Sequence, residues 1–234
     1  MSRRLLYLLN GTSRDTVSRL PDLFRAAGLA VDFAWAYDGE FPASLDPYDG
    51  IFLSGSPHGA YEDVPFIHRE HELIVEAADR DIPMLGICFG HQILASALCG
   101  RDQVFRRADC EVANKWLAVT PAAADDPIAC KLGERVYMFV WHNDEVRAGH
   151  PDMEILAASD LCPNQIWRHR SKRAWGIQGH PEVTRDEARR WFESSRERLE
   201  LDGADISVLQ ATADDALAAK TMLGRFARLC AGDL

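Results

Sequence analysis

Six cysteines are scattered through 234 residues with no paired spacing and no Cys-x-x-Cys, and no His/Cys cluster has the spacing of a zinc site. That excludes a disulfide framework, fits a reducing cytoplasm and leads us to expect no metal. No apolar run is long enough to span a bilayer. The opening apolar stretch 5–9 is short, and Asn10-Gly11 breaks it without a cleavage-type segment, so it reads as a first buried strand rather than a signal peptide. Basic residues are the minority, 26 Lys and Arg against 36 Asp and Glu, for a net charge of −10. This balance argues against nucleic acid and anionic membranes as partners. The arginines of 185–198 alternate with glutamates and read as a solvated helix face. Repeats, low-complexity tracts and long flexible linkers are also missing. With 47% hydrophobic residues the chain can bury a full core, and one domain over 1–234 is expected.

What is present is a strand–helix rhythm. Apolar runs at 5–9, 30–36, 50–53 and 83–87 are separated by helical stretches, one ending near Gly28, one over 66–80 and one running from the last strand to about Leu98, closed by Gly100. Such βαβ alternation predicts an α/β fold: an open, mostly parallel sheet with helices on both faces. After residue 100 the rhythm changes. Short strand candidates at 104–107, 115–120, 135–140, 154–159 and 165–169 would extend the sheet in mixed or antiparallel fashion. The final third is helical, at 185–201 and 214–230, with a turn at 202–205.

The chemistry concentrates at Gly86-Ile87-Cys88-Phe89-Gly90-His91-Gln92. A small-residue turn here joins a strand to a helix and carries a cysteine where a hydrolase elbow would carry serine. A tight turn lifts the side chain above the sheet and turns the next amide, that of Phe89, toward a developing oxyanion. Gly86 and Gly90 leave room for neighbouring backbone. Most cysteines are packing residues, and the other five, Cys99, Cys110, Cys130, Cys162 and Cys230, read that way.

A thiol needs a base, and there are eight histidines to choose from. His91 starts the helix after the elbow and reads as helix surface or packing. His180, in Gly176-Ile177-Gln178-Gly179-His180-Pro181-Glu182, follows the strand-like run 174–178, at an exit where open α/β sheets collect their sites. Glu182, two residues on, can fold back to the imidazole, fix its tautomer and support its cationic form. Cys88, His180 and Glu182 thus make a nucleophile, a base and an orienter. A second oxyanion donor fits the turn Ser54-Gly55-Ser56-Pro57 that ends the apolar strand 50–53.

Taken in chain order, the Ser54-Gly55-Ser56-Pro57 turn, the Cys88 elbow, the segment His142-Asn143-Asp144-Glu145-Val146 and Gly179-His180-Pro181-Glu182 resemble the class I glutamine amidotransferases over about residues 5–192. The subgroup cues Ser54-Gly55-Ser56-Pro57-His58 and Ile177-Gln178-Gly179-His180-Pro181-Glu182 look like stand-alone members related to the GMP synthetase amidotransferase domain and to plant-type γ-glutamyl peptidases. The resemblance implies a flavodoxin-like sheet and a C-terminal helical extension over about 202–234. It also implies Cys88 as nucleophile, His180 as base then acid, Glu182 as orienter, and the Gly55 and Phe89 amides as oxyanion hole. Gln92, His142 and Asn143 would contact the glutamyl group, the last two through their backbone. Two departures stand out. Trp141-His142-Asn143 replaces a common Ser-His-Gly, and Val112 follows Glu111 where a glycine is common.

The expected activity is cysteine-dependent hydrolysis of a γ-glutamyl amide through a thioester, with no cofactor and a small γ-glutamyl substrate. Two alternatives stand beside it: a glutaminase subunit feeding ammonia to a separate synthetase, and a silent binding or regulatory scaffold.

Overall fold

The computed structural model describes residues 3–12 and 20–234. Alternate residues of its first strands face two different helical layers, as the period of an extended chain requires. In β1 (Arg4–Leu8), Leu5 and Tyr7 join one apolar core while Leu6 and Leu8 join another. The same division separates Phe52 from Ile51 and Leu53 in β3 (Gly50–Leu53), and Leu85 and Ile87 from Met84 in β4 (Met84–Ile87). The first core is covered by α1 (Leu20–Ala26) and α7 (Leu217–Ala231) through Phe24, Met222, Leu223 and Phe226. The second is covered by α2 (Pro65–Asp79) and α3 (Phe89–Cys99) through Ile67, Leu73, Ile93 and Leu94. Strands buried on both faces have to read as continuous apolar runs, which is why they were legible in the sequence.

Among the described residues the sheet has nine strands, in the order β2-β1-β3-β4-β9-β8-β7-β5-β6. Five of them, β2 (Ala30–Ala34), β1, β3, β4 and β9 (Ala174–Ile177), run parallel. The other four, β5 (Val104–Val119), β6 (Arg135–Val146), β7 (Met153–Ala158) and β8 (Ile166–His169), are joined through antiparallel pairings. This is the mixed, mostly parallel architecture with two helical layers that the rhythm predicted. Among the described residues, no helix is long and apolar enough to cross a membrane.

Four elements differ from expectation, and the first is the strand expected over 135–140, which as β6 runs on to Val146 through its pairing with β5. The candidates 104–107 and 115–120 are one strand, β5, with a register shift between Arg106 and Glu111; its polar middle hid the continuity, which comes from pairing with β6. The helix expected over 185–201 is two, α4 (Arg185–Ser194) and α5 (Arg196–Leu201), interrupted at Ser195. The Ser194 hydroxyl donates to the Trp191 carbonyl at 3.1 Å, the kind of side-chain competition that breaks helices at serine pairs. A short helix not foreseen, α6 (Ile206–Thr212), begins where Asp205 accepts the Ser207 and Val208 amides. Together α4, α5 and α6 form a third apolar core with Phe139 and Trp141 of β6, around Phe192, Leu199 and Leu209. The helix predicted to end near Gly28 is α1; residues 13–19, ahead of it, lie outside the described residues.

Candidate active site

The chain order around β1 reverses at its β2 and β3 neighbours, and the loops leaving β1, β3, β4 and β9 open on one edge of the sheet. Clefts of open α/β sheets form at such edges. A cleft of about 910 Å³ lies there, lined among others by Gly55, Cys88, Gln92, Trp141, His142, Asn143, His180 and Glu182.

Cys88 is the residue between β4 and α3. Its backbone is held at φ +54°, ψ −108°, a conformation that side chains rarely adopt. Its amide donates to the Ile177 carbonyl at 2.8 Å, pinning the elbow to the neighbouring strand. Glycine is required on both sides by contact rather than by conformation. A Cβ on Gly86 would stand 2.1 Å from the Gly90 carbonyl oxygen, and one on Gly90 would stand 2.2 Å from that of Leu53. The helix therefore starts packed directly against two strands, and Phe89, as its first residue, has no carbonyl one turn earlier for its amide.

His180 follows β9. Its amide donates to the Phe139 carbonyl at 2.8 Å, and its ring packs against Trp191 at 5.6 Å, nearly perpendicular. Nδ1 lies 2.9 Å from a Glu182 carboxylate oxygen, which leaves Nε2 for the cleft. Burial alone would discourage the cation. The Glu182 charge and hydrogen bonds with Cys88 and Glu182 outweigh it, and the imidazole pKa is raised well above its ordinary value. Gly55 closes the group, since a Cβ built there would lie 3.6 Å from Cys88 Cβ and 4.0 Å from His180 Cε1. Three segments far apart in the chain thus meet at one thiol. Elsewhere, burial pushes the Cys99, Cys162 and Cys230 thiols up to about 12 and that of Cys110 up to about 11, which keeps these four protonated at neutral pH.

The remaining expected site residues are placed as follows. Gln92 is buried on the cleft wall, its amide nitrogen donating to the Asp144 carbonyl at 3.3 Å and to Gln178 Oε1 at 3.1 Å. The His142 side chain is committed within the protein, Nδ1 near the Asp144 carbonyl and Nε2 near Glu111, both at 2.9 Å. It braces the backbone of 142–144 rather than offering its ring to a ligand, and Asn143 lies on the cleft wall. His91 is buried edge-on to Trp167, and burial drives its pKa down to about 3, so it is a neutral packing residue.

Trp141, one of the two departures from the family pattern, lines the cleft. It packs on Trp191 at 5.0 Å and donates its indole N–H to Asp202 at 3.0 Å. The arginine-rich stretch read as a solvated face is only partly that, because Arg190, Trp191 and Arg198 also line the cleft. No local pattern distinguishes those three from their solvated neighbours; the placement of α4 and α5 over β6 selects them.

Among the described residues, one further cluster of ligand-type side chains lies away from Cys88. Donor atoms of Glu111, His142 and Cys162 lie within 4.8 Å of one another and are buried. Glu111 is already saturated: one oxygen accepts from Lys115 at 2.7 Å and Ser159 at 2.9 Å, the other from His142 at 2.9 Å and Gln165 at 3.0 Å. Burial would raise its pKa, but these donors hold it down at about 2. With the Lys115 ammonium in place and Cys162 protonated, the donor set suits a hydrogen-bonded carboxylate better than a cation.

Comparison with known proteins gives the family. Residues 16–195 match the family model described as glutamine amidotransferase class-I. The chain belongs to the class I glutamine amidotransferase family. It is similar to a glutamine-hydrolysing GMP synthase subunit from Methanothermobacter thermautotrophicus, 33% identical over 140 residues that make up 60% of this chain and 68% of that one. It is also similar to γ-glutamyl peptidase 4 of Arabidopsis thaliana, 30% identical over 152 residues, 64% of this chain but only 60% of the peptidase. Among solved structures, a glutamine amidotransferase from Thermotoga maritima superposes with a TM-score of 0.83 at 25% identity, covering 98% of this chain and 99% of that one.

Proposed function

We propose that this protein hydrolyses γ-glutamyl amides through a glutamyl thioester on Cys88. The observation that carries the reading is the meeting of a strained Cys88, the Glu182-bound His180 and Gly55 at one edge of the sheet. The thiol proton passes to His180, whose cationic form Glu182 favours. The thiolate attacks the γ-carbonyl carbon, and the Gly55 and Phe89 amides receive the oxyanion, each donor worth about 3 kcal/mol in the transition state. The imidazolium returns its proton to the amine nitrogen as the C–N bond breaks. Water then adds to the thioester with His180 as base, releasing glutamate and restoring the thiol. One water is consumed, and one amine or ammonia leaves for each glutamate formed.

The test is glutamate release from glutamine and from a panel of γ-glutamyl amides and peptides, with Cys88→Ala as control. Turnover of an amide or peptide well above glutamine supports a stand-alone hydrolase. Similarity to a glutamine-hydrolysing GMP synthase subunit favours a second reading, in which the chain supplies ammonia to a separate synthetase; slow turnover of glutamine alone is its signature. A Cys88→Ala protein with undiminished release would overturn both.

A further inference from the structure

If His180 protonates the leaving amine, the leaving group must lie beside His180, and the wall on that side comes from elements outside the elbow. Trp191 of α4 meets the His180 ring, Trp141 of β6 packs on Trp191, and Asp202 fixes both the Trp141 indole N–H and the Arg198 Nε at 3.0 Å. This makes a broad apolar surface with arginines along it. Most charged groups of the cleft have partners. Glu182 is bound to His180, and Glu187 to the Thr184 hydroxyl at 2.6 Å. Asp144 accepts from Tyr61 at 3.2 Å and from Arg106 at 3.4 Å, and Arg198 is paired with Asp202. Arg190 lines the same cleft, next to Trp191, and its guanidinium has no hydrogen bond or ion pair among the described residues. A guanidinium on a cleft wall that no carboxylate pairs with among the described residues favours an anion beside it.

We infer that Arg190 is a specificity residue that engages a carboxylate carried by the leaving amine. The substrate class is then a γ-glutamyl amino acid or peptide with a free carboxylate, its side chain resting on the Trp141–Trp191 surface. Glutamine, whose leaving group is ammonia, leaves this wall empty, and a neutral γ-glutamyl amine leaves Arg190 without its partner. A guanidinium suits the role because its planar fork can hold a carboxylate through two parallel hydrogen bonds. The inference rests on the hydrolase reading proposed above.

The experiment compares γ-glutamyl-alanine with γ-glutamyl-alanine amide, which differ only in the terminal carboxylate, and includes glutamine and the Cys88→Ala control. For the wild-type protein, kcat/KM is expected to favour the free acid by about five- to tenfold, the size of a charge-assisted contact at a partly solvated site. Arg190→Ala is expected to bring the acid-to-amide ratio to near one, Arg190→Lys to restore part of it, and added salt to lower it in the wild type. Because the readout is a ratio, a general loss of fold or of thiol reactivity does not mimic it. Cys88-dependent release with a ratio near one, or with a ratio unmoved by Arg190→Ala, overturns the inference and leaves the hydrolase reading standing. No Cys88-dependent release from any of the three substrates overturns both.

Discussion

Replacing Cys88 by glycine should give a more stable protein than replacing it by alanine, the reverse of the ordinary order. Both variants lose the thiol, so activity does not enter the comparison. At φ +54°, ψ −108° any residue with a Cβ is strained, and such positions cost about 1–3 kcal/mol. Alanine keeps that strain and glycine releases it. Against this, glycine loses about 0.5–1 kcal/mol more chain entropy on folding, and alanine keeps a half-buried methyl worth a few tenths of a kcal/mol. The balance favours Cys88→Gly over Cys88→Ala by about 1 kcal/mol, or a melting temperature about 2–4 °C higher for a chain of this size. Denaturant titration of the two variants side by side measures it. If Cys88→Ala is as stable as Cys88→Gly or more so, the elbow is not strained, and the account of how the turn presents its thiol is wrong.

Other consequences can be tested on the same preparations. Glu70 is fully buried, and burial, only partly offset by the Asn10 amide at 3.0 Å, pushes its pKa from 4.5 up to about 8. The folded protein therefore keeps a proton that the unfolded chain releases. The stability this contributes is complete below 4.5 and is lost as pH climbs through about 8, by up to about 5 kcal/mol. Glu70→Gln should flatten that slope and exceed the wild type near about pH 9; parallel stability curves would refute it. Gly90→Ala should destabilise by more than about 2 kcal/mol or prevent folding, because its Cβ meets the Leu53 backbone rather than a movable side chain; a near-normal melting temperature would contradict the close approach. Glu182→Gln should slow alkylation of Cys88 near neutral pH, read by mass spectrometry, and lower turnover at least about tenfold, since the imidazolium loses its counter-charge. An unchanged alkylation rate would show that Glu182 does not act through His180.

The parallel half of the sheet was readable because β1, β3 and β4 are apolar runs closed by a glycine or a turn while β2 alternates around Asp32, and β3 begins and ends where the pattern put it. The Cys88 elbow was readable for a related reason: Gly86 and Gly90 are needed by contacts that any version of this strand–helix packing would create. The antiparallel half was harder. The middle of β5 is polar and becomes strand by pairing with β6, and the serine pair at 194–195 looks like ordinary helix surface until it breaks α4 from α5. The side of the cleft wall built by Trp141, α4 and α5 was not readable. Trp141 and Asp202 are 61 positions apart, and Glu111 and His142 are 31 apart, so nothing local marks either pair as partners.

The residues alone therefore determined the nucleophile, its base and the orienting carboxylate as candidates, because their roles demand particular residue types at turns that the strand pattern locates. Only the tertiary structure decided that these meet, that His142 turns inward to Glu111 while Trp141 faces the cleft, and that Arg190 stands there without a partner among the described residues. Those outcomes depend on how α4 and α5 lie across β6, and a packing between distant segments leaves no local period in the chain that forms it.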